Sequence, residues 1–317
     1  MERNAIMPLL DEVSQVLQRM GTDSAVLTDR RVAHVVATGL DLVSQREIPG
    51  VAIRSERKAD GLAAQITVTR DARIENPIHL CMGVLHDTGR QSIQLQVRLE
   101  QDSKAKIVAH CFFPRAQNVE HIMDAAIEIE SGAELGYAEG HYHGPFGGVS
   151  VLPTARVRVH PHGRYVSDFS LTSGRVGKLQ IDYAVEVNAD AIAELNAKIF
   201  GHGDDDIRIR EEVVLSGAKA RSLIRTRVAL EGRARAEVTG ITEGNAEGAR
   251  GHVDCMEIVR DHAFAQAIPI VRVTHPLAKV THEAAIGSID QKQLETLMAH
   301  GLTPEQAVET VVAGLLC

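Results

Sequence analysis

The amino-acid sequence predicts a mainly β protein whose strands stack as a β-helix, and three observations favour this fold. Apolar and polar residues alternate from about residue 51 to residue 280, as in strands with one buried and one solvated face. This stretch far exceeds the ~100 residues of a β-sandwich domain. The chain has no Trp, 6 Phe and 4 Tyr, so small and β-branched residues must fill a narrow core. A sandwich or a barrel is the alternative, because the strands show no strict repeat.

Residues 1–50 are predicted to form an N-terminal helical segment. Apolar residues recur there at the helical spacings of three and four: Ile6, Leu9, Leu10, Val13, Val16, Leu17 and Met20. Gly21 follows them in the position of a helix C-cap. The pattern then weakens, and Val32, Val35 and Val36 are compatible with a second helix.

The β-helix core is predicted over residues 51–280. The alternation is clearest in residues 93–99, 181–187, 191–199 and 224–230. Glycines separate many of these stretches, which is typical of short strands joined by turns. Each stretch therefore predicts a strand with one face on the core and the other in water.

Residues 281–317 return to a helical pattern and predict a hairpin of two helices. One apolar face of the first helix is formed by Ile289, Leu294, Leu297 and Met298. The second helix begins with Thr303 as N-cap, Pro304 at the first helical position and Gln306 completing a capping box. The residues alone favour a cap over the last turn of the β-helix, with a docking surface for a partner as the alternative.

Composition and charge exclude several classes of protein. With 42 acidic and 34 basic residues the net charge is −8, which does not favour binding to nucleic acid or to an anionic membrane. No apolar run approaches the ~20 residues of a membrane helix, and the first residues do not resemble a signal peptide, so we expect a cytoplasmic protein. The four cysteines are not closely paired and predict no disulfide scaffold. Phosphate-binding glycine loops are absent from the sequence, so we do not expect this chain to hydrolyse ATP.

Two pairs of histidines have the spacing H-x-H, namely His141 with His143 and His160 with His162. On a strand both rings of such a pair point to the same side and are able to share a metal ion. Gly144 follows the first pair directly and a proline separates the second, so ordinary surface or turn pairs are the favoured interpretation. A zinc enzyme that uses His141 and His143 is a minor alternative.

Three cysteines lie in contexts that predict different roles. Cys81 and Cys111, the latter directly after His110, lie in apolar, strand-like contexts and are expected to be buried structural thiols. Cys255 follows a glycine-dense turn, with His252 and Asp254 close in sequence, although strand alternation places Asp254 on the opposite face. A thiolate near imidazole and carboxylate groups suits iron or zinc.

His282 and Glu283 form a second candidate pair where the β pattern gives way to the helical hairpin. Adjacent side chains project differently from any regular element. They converge on one ion only if the segment bends or if two chains meet there.

The sequence around this pair resembles the C-terminal signature of the SufB/SufD family, the scaffold subunits of the SUF iron–sulfur cluster assembly system. The resemblance rests on the run T-H-E-A-A-I-G-S-I-D-Q-K-Q-L over residues 281–294 and on the Gly-Leu-Thr of residues 301–303. The segment Pro-Ile-His-Leu-Cys at residues 77–81 is also similar. The resemblance implies a right-handed parallel β-helix that dimerises, with a cluster assembled at the subunit interface. It also implies that the C-terminal hairpin docks an ABC-type ATPase, which reverses the preference for a cap.

The same resemblance implies the site residues. In the SufB branch a cysteine upstream of this region and the glutamate of the His-Glu pair are tied to cluster assembly, and Cys255 and Glu283 match them, with His282 as the adjacent histidine. We therefore expect these three residues to hold a transient iron–sulfur cluster. The chain departs from longer SufB proteins in its short N-terminal segment and its lack of Trp, so it resembles a short, stand-alone SufB-like member.

The implied role is that of a scaffold and not of an enzyme. The implied partners are a SufC-like ABC ATPase, a second copy of the chain or a paralogue, a sulfur donor and apo-protein acceptors. A SufD-like structural subunit that binds the ATPase and carries no cluster is the alternative. The sequence leaves open the cluster type and the roles of Cys81 and Cys111.

Overall fold

The computed structural model describes residues 3–316, with side chains from residue 7 onward. The side chain of Ile6 and the whole of Cys317 therefore lie outside the described residues. Helix α1 (Arg3–Arg19) begins the chain and leads into a short 3₁₀ turn at Ser24–Leu27. No helix in the described part of the chain is both long and apolar enough to span a membrane.

The strands form a parallel β-solenoid of about eight turns, which confirms the predicted β-helix. One sheet has ten strands, and its members are β1 (His34–Thr38), β2 (Asp41–Arg46), β5 (Ile78–Gly83), β7 (Lys104–Phe113), β9 (Glu134–His143), β11 (Arg164–Leu171), β13 (Ile192–Gly201), β15 (Arg221–Leu230), β17 (Arg250–Val259) and β19 (Lys279–Ser288). The other sheet has nine strands, and its members are β3 (Val51–Lys58), β4 (Gly61–Val68), β6 (Thr88–Leu99), β8 (Asn118–Ile129), β10 (Val149–Val159), β12 (Gly177–Val187), β14 (Asp206–Leu215), β16 (Arg235–Gly244) and β18 (Phe264–Val273). The strands extend on both sides of residues 51–280.

Strands β1 and β2 occupy the segment that was compatible with a second helix, and that expectation is wrong. Every residue of β1 is buried, because α1 covers one face of the strand and the solenoid interior covers the other. A strand buried on both faces has a nearly continuous run of apolar residues and shows no alternation, as Val35, Val36 and Ala37 do here. The antiparallel pairs β1–β2 and β3–β4 close this first end of the solenoid.

The turns between the sheets explain why no strict sequence repeat is visible. Seven of the eight described corners that lead from the nine-stranded to the ten-stranded sheet contain a residue in the left-handed conformation, with φ between 55° and 71°. The position is filled by Asp71, Asp102, Gly132, His162, Asp190, Lys219 and Gly248. Glycine occupies only part of the series, so the structural repeat is regular while the residue that marks it changes. His162 lies in such a turn, as predicted.

Helices α2 (Gln291–Ala299) and α3 (Pro304–Leu316) form the predicted hairpin. The capping box is confirmed: Thr303 Oγ1 accepts from the Gln306 backbone N–H at 3.2 Å, and Gln306 Oε1 accepts from the Thr303 N–H at 2.9 Å. Val308 and Val312 pack with Ala229 of β15 on the flank of the solenoid. The hairpin does not cover the last turn, where almost all of β19 stays exposed, so the cap interpretation is wrong.

Candidate functional site

Cys255 lies on β17, near the open end of the solenoid, and its side chain faces the interior. It is 2% exposed, with Thr226 of β15 and Ala284 of β19 as its register partners. Burial, together with the smaller effect of the negative charges of Glu257 and Glu211, raises the pKa of the thiol to about 12. The thiol is therefore protonated at neutral pH unless a cation binds to it.

The structure places His282 and Glu283 on opposite faces of β19. His282 pairs with Val253 and Glu283 pairs with Asp254. Because side chains alternate along a strand, His282 shares the interior face with Cys255 while Glu283 points outward. Both residues are exposed, because no further turn covers β19. Within one chain, Cys255 and His282 lie on the same face of neighbouring strands, two register positions apart, and Glu283 lies on the other face.

His252 and Asp254 do not accompany Cys255. They lie at alternate positions of β17, on the outward face, as expected for Asp254. His252 Nδ1 is 2.8 Å from Thr281 Oγ1. Asp254 accepts a hydrogen bond from Arg227 at 2.6 Å, and this contact lowers the pKa of the carboxyl. Their closeness to Cys255 is one of sequence only.

Two carboxyl groups that the sequence analysis missed share the interior with Cys255. Glu257 is 0% exposed, neither carboxyl oxygen has a hydrogen-bond partner, and burial raises its pKa to about 7. Glu211 of β14 accepts a hydrogen bond from the Thr226 hydroxyl at 3.1 Å, and burial raises its pKa to about 7 as well. The signal for Glu257 was in the alternation itself, since Gly251, Val253, Cys255 and Glu257 all occupy inward positions.

These groups combine soft and hard donor atoms beside an open edge. A sulfur atom, carboxyl oxygens and the imidazole of His282 are ligands that iron and zinc accept. The site is reached through the last turn, because β18 and β19 are the outer strands of their sheets.

The first histidine pair is not an ordinary surface or turn pair, and that interpretation is wrong. His141 and His143 lie on β9 and face the interior, where they are 6% and 3% exposed. Gly144 and Pro145 begin the turn that follows β9. They mark the end of the strand just after the histidine pair and do not place the pair in the turn. Cys81 is a buried thiol beneath α1, as predicted, and Cys111 is also buried but near polar groups.

Comparison with known proteins identifies the family. The model of the SUF system FeS cluster assembly, SufBD core domain, matches residues 85–315. The chain belongs to the SufBD family. It is 38% identical over 267 residues to an iron-sulfur cluster assembly SufBD family protein of Methanocaldococcus jannaschii, covering 84% of each chain. A SufBD family protein of Pyrococcus horikoshii is 33% identical over 302 residues, covering 95% of this chain and 92% of the relative.

The similarity to a protein named SufB is confined to a short segment. The iron-sulfur cluster assembly protein SufB of Bacillus subtilis is 31% identical over 72 residues, which is 22% of this chain and 16% of that protein. The predicted SufB/SufD resemblance is therefore confirmed for the SufBD family as a whole. The family is a non-catalytic component of the SUF assembly system, while the choice between SufB-like and SufD-like roles rests on the site.

Proposed function

We propose that this SufBD chain is an assembly scaffold that builds a transient iron–sulfur cluster where the open ends of two copies meet. The observation that carries the proposal is the open last turn of the solenoid, which lies directly beyond the buried Cys255 and Glu257. The cluster is cargo that the scaffold assembles and passes on. The cytoplasmic location, the sulfur donor and the apo-protein acceptors that the sequence predicts belong to this proposal.

The open end has the features of a surface that pairs with another chain. Phe264, Val273, Leu277 and Ile286 are between 48% and 59% exposed around the last turn. Edge strands with apolar side chains pair readily with other strands unless they are covered. A second copy related by a two-fold axis would bury this surface and bring two sets of site residues together.

The proposed dimer also gives Glu283 a place in the site. Glu283 faces outward and is separated from Cys255 within one chain, so its contribution depends on the partner copy. Cys255 supplies a sulfur donor, while His282, Glu283 and Glu257 supply nitrogen and oxygen donors. Mixed ligation of this kind holds a cluster less tightly than four thiolates, which suits a scaffold that must release it.

The C-terminal hairpin is proposed to dock an ABC-type ATPase. Helix α2 has no buried residue, and α3 buries only Ala307, Val308 and Val312, so most of the hairpin surface is free of contacts within the chain. The helices lie on the flank of the solenoid, beside the last turn and not over it. Nucleotide-dependent movement of the ATPase would move the hairpin. It would thereby change the fraction of dimers in which the two solenoid ends are joined.

Anaerobic cluster reconstitution with the cognate ATPase tests this proposal. We expect iron, acid-labile sulfide and visible charge-transfer absorption in the unaltered protein, and their loss in Cys255→Ser and in Glu283→Ala. Cys81→Ser is the matched control, because Cys81 is an equally buried thiol packed beneath α1. A cluster that survives both substitutions would exclude these ligands. Binding of the ATPase without a cluster under any condition would favour the SufD-like structural subunit.

A further inference from the structure

A second group of metal-binding side chains lies in the middle of the solenoid interior. Cys111 of β7 is the register partner of His141 on β9, and Glu139 lies two residues before His141 on the same face. The three residues are 1%, 6% and 3% exposed, in the order Cys111, His141, Glu139. One ligand atom from each lies within 4.8 Å of the others. Parallel register thus places a sulfur, a nitrogen and an oxygen donor around one point.

The hydrogen bonds of this group leave either a proton or a metal ion to be placed between His141 and Glu139. His143 Nδ1 donates to the backbone carbonyl of Arg175 at 3.3 Å, so in the neutral ring its Nε2 is an acceptor. His141 Nδ1 lies 3.2 Å from that Nε2 and must donate to it. The lone pair of His141 Nε2 then faces Glu139 Oε1 at 2.8 Å. Two lone pairs at this distance repel each other unless a proton or a metal ion lies between them.

Further polar atoms around the group lack partners. Glu139 Oε2 has no hydrogen bond of normal geometry, although the Tyr137 hydroxyl, which donates to Met123 Sδ at 3.8 Å, lies close enough to interact with the Glu139 carboxyl. His121, on β8 of the facing sheet, is 1% exposed, and neither of its ring nitrogens has a partner. The Phe113 ring packs against His121, with centroids 5.0 Å apart, and against His141, with centroids 6.3 Å apart. Buried polar groups without partners are rare in native proteins and call for an explanation such as a bound ion.

We propose that Cys111, Glu139 and His141 bind a divalent transition-metal ion, Zn²⁺ or Fe²⁺, inside the solenoid, with His121 offering a fourth ligand from the facing sheet. One thiolate, one carboxylate and two imidazoles form a borderline donor set that these two ions share. Tetrahedral ligation requires N···O and S···O separations of roughly 3.4 and 3.6 Å. Glu139 Oε1 lies 2.8 Å from His141 Nε2 and 3.9 Å from Cys111 Sγ, so the first separation must widen by about 0.6 Å and the second shorten by about 0.3 Å to admit the ion.

His143 has the role of a positioning residue in this proposal. A ligating histidine usually donates its other N–H to a neighbouring acceptor, which fixes the orientation and the tautomer of the ring. His143 Nε2 is that acceptor for His141, and the Arg175 carbonyl in turn fixes His143. The chain therefore contains both the ligands and the hydrogen bonds that support them.

The proposed ion is distinct from the cluster of the proposed function. Strands β11, β13 and β15 separate β9 from β17 in the ten-stranded sheet. The ion is enclosed in the core and not at the open end, so we expect it to enter during folding and to resist chelators afterwards. The two proposals fail or succeed independently, because Cys255→Ser removes only the end site.

Metal analysis of the purified full-length protein tests the inference. The chain is produced with Zn²⁺ or with Fe²⁺ under anaerobic conditions and no added sulfide, dialysed against EDTA, and analysed for metal. We expect about one ion per chain in the unaltered protein and in Cys255→Ser, and none in Cys111→Ser. For His143→Gln we expect the affinity for the metal ion to fall by about 10- to 100-fold. This affinity is measured by competition with a chelator in partly unfolded protein, because the ion is enclosed in the folded core. The ion that remains bound after dialysis shows which of the two metals the site prefers.

X-ray absorption of the Zn²⁺-loaded Cys255→Ser protein keeps the test decisive if Cys111→Ser does not fold. One sulfur ligand with nitrogen and oxygen ligands would support the site. A protein that remains free of metal under both conditions would overturn the proposal and assign a shared proton to His141 and Glu139. A coordination sphere without sulfur, or full metal content in a folded Cys111→Ser protein, would also overturn it.

Discussion

The carboxyl of Glu211 predicts a specific dependence of stability on pH. This side chain is 2% exposed, and burial raises its pKa from 4.5 to about 7. The folded state therefore keeps a proton that the unfolded state loses above about pH 4.5. Stability contributed by this group is fully present below that pH and is lost as the pH rises to about 7. The expected loss is about 3 kcal/mol, since one pKa unit corresponds to about 1.4 kcal/mol.

Replacement of Glu211 by Gln isolates this effect. Gln has the shape of the protonated carboxyl and still accepts the hydrogen bond from Thr226, so Glu211→Gln should match the parent protein at pH 4.5. At pH 8 the variant should be more stable by about 3 kcal/mol, which corresponds to roughly 4–5 °C in the melting temperature of a chain of this length. The buried histidines, including His121 with its pKa lowered to about 3, destabilise both proteins equally in acid and cancel in the difference.

Thermal unfolding followed by calorimetry between pH 4.5 and pH 8 measures this difference. Glu237→Gln is the matched control, because Glu237 is exposed on the outward face of the neighbouring strand β16. Its difference from the parent protein should not change over the same range. A Glu211→Gln protein that is less stable than the parent at pH 8, or whose difference does not vary with pH, would refute the assignment of a raised pKa to burial.

Three further predictions concern the end of the solenoid, its turns and its hairpin. Phe264→Asp or Ile286→Asp should abolish a dimer in light scattering while the melting temperature of the monomer stays unchanged, because both side chains are exposed in the single chain. Gly177→Ala should lower the melting temperature markedly, since φ is +79° there and a Cβ atom would lie 2.0 Å from a carbonyl oxygen, whereas Gly287→Ala, with open space around it, should have no effect. Thr303→Ala should remove one hydrogen bond of the capping box and destabilise α3 by about 1 kcal/mol. The expected result is a lower affinity for the ATPase with no change in the melting temperature of the solenoid.

The fold could be predicted where one strand face meets water. Residues 93–99 and 181–187 alternate because their outward side chains are solvated, and the structure confirms strands there. Strand β1 could not be recognised, because α1 covers its outer face and removes the alternation. The repeat length was hidden for another reason: the left-handed corner accepts His162 and Lys219 as well as glycine, so it leaves no constant residue in the sequence.

The candidate sites show the same division between local and long-range information. Cys255 could be selected from its neighbours and from the family signature, and its inward direction follows from alternation. The contact of Cys111 with His141 could not be found in this way, because it depends on the register of β7 against β9. The glycine after His143 suggested a turn, but a turn begins where a strand ends and says nothing about which way the preceding side chains point.

The two ends of the solenoid differ in a way that bears on where the proposed second copy would bind. The first end finishes in antiparallel strand pairs beside α1, whereas the last turn ends in β18 and β19, which are each paired on one edge only. Pro269 interrupts the edge of β18, because proline has no N–H to donate, but β19 contains no proline and presents a regular edge. Backbone pairing with a second copy therefore favours β19. His282 and Glu283 both lie on that strand, so such a pairing brings this pair from both copies to the same interface.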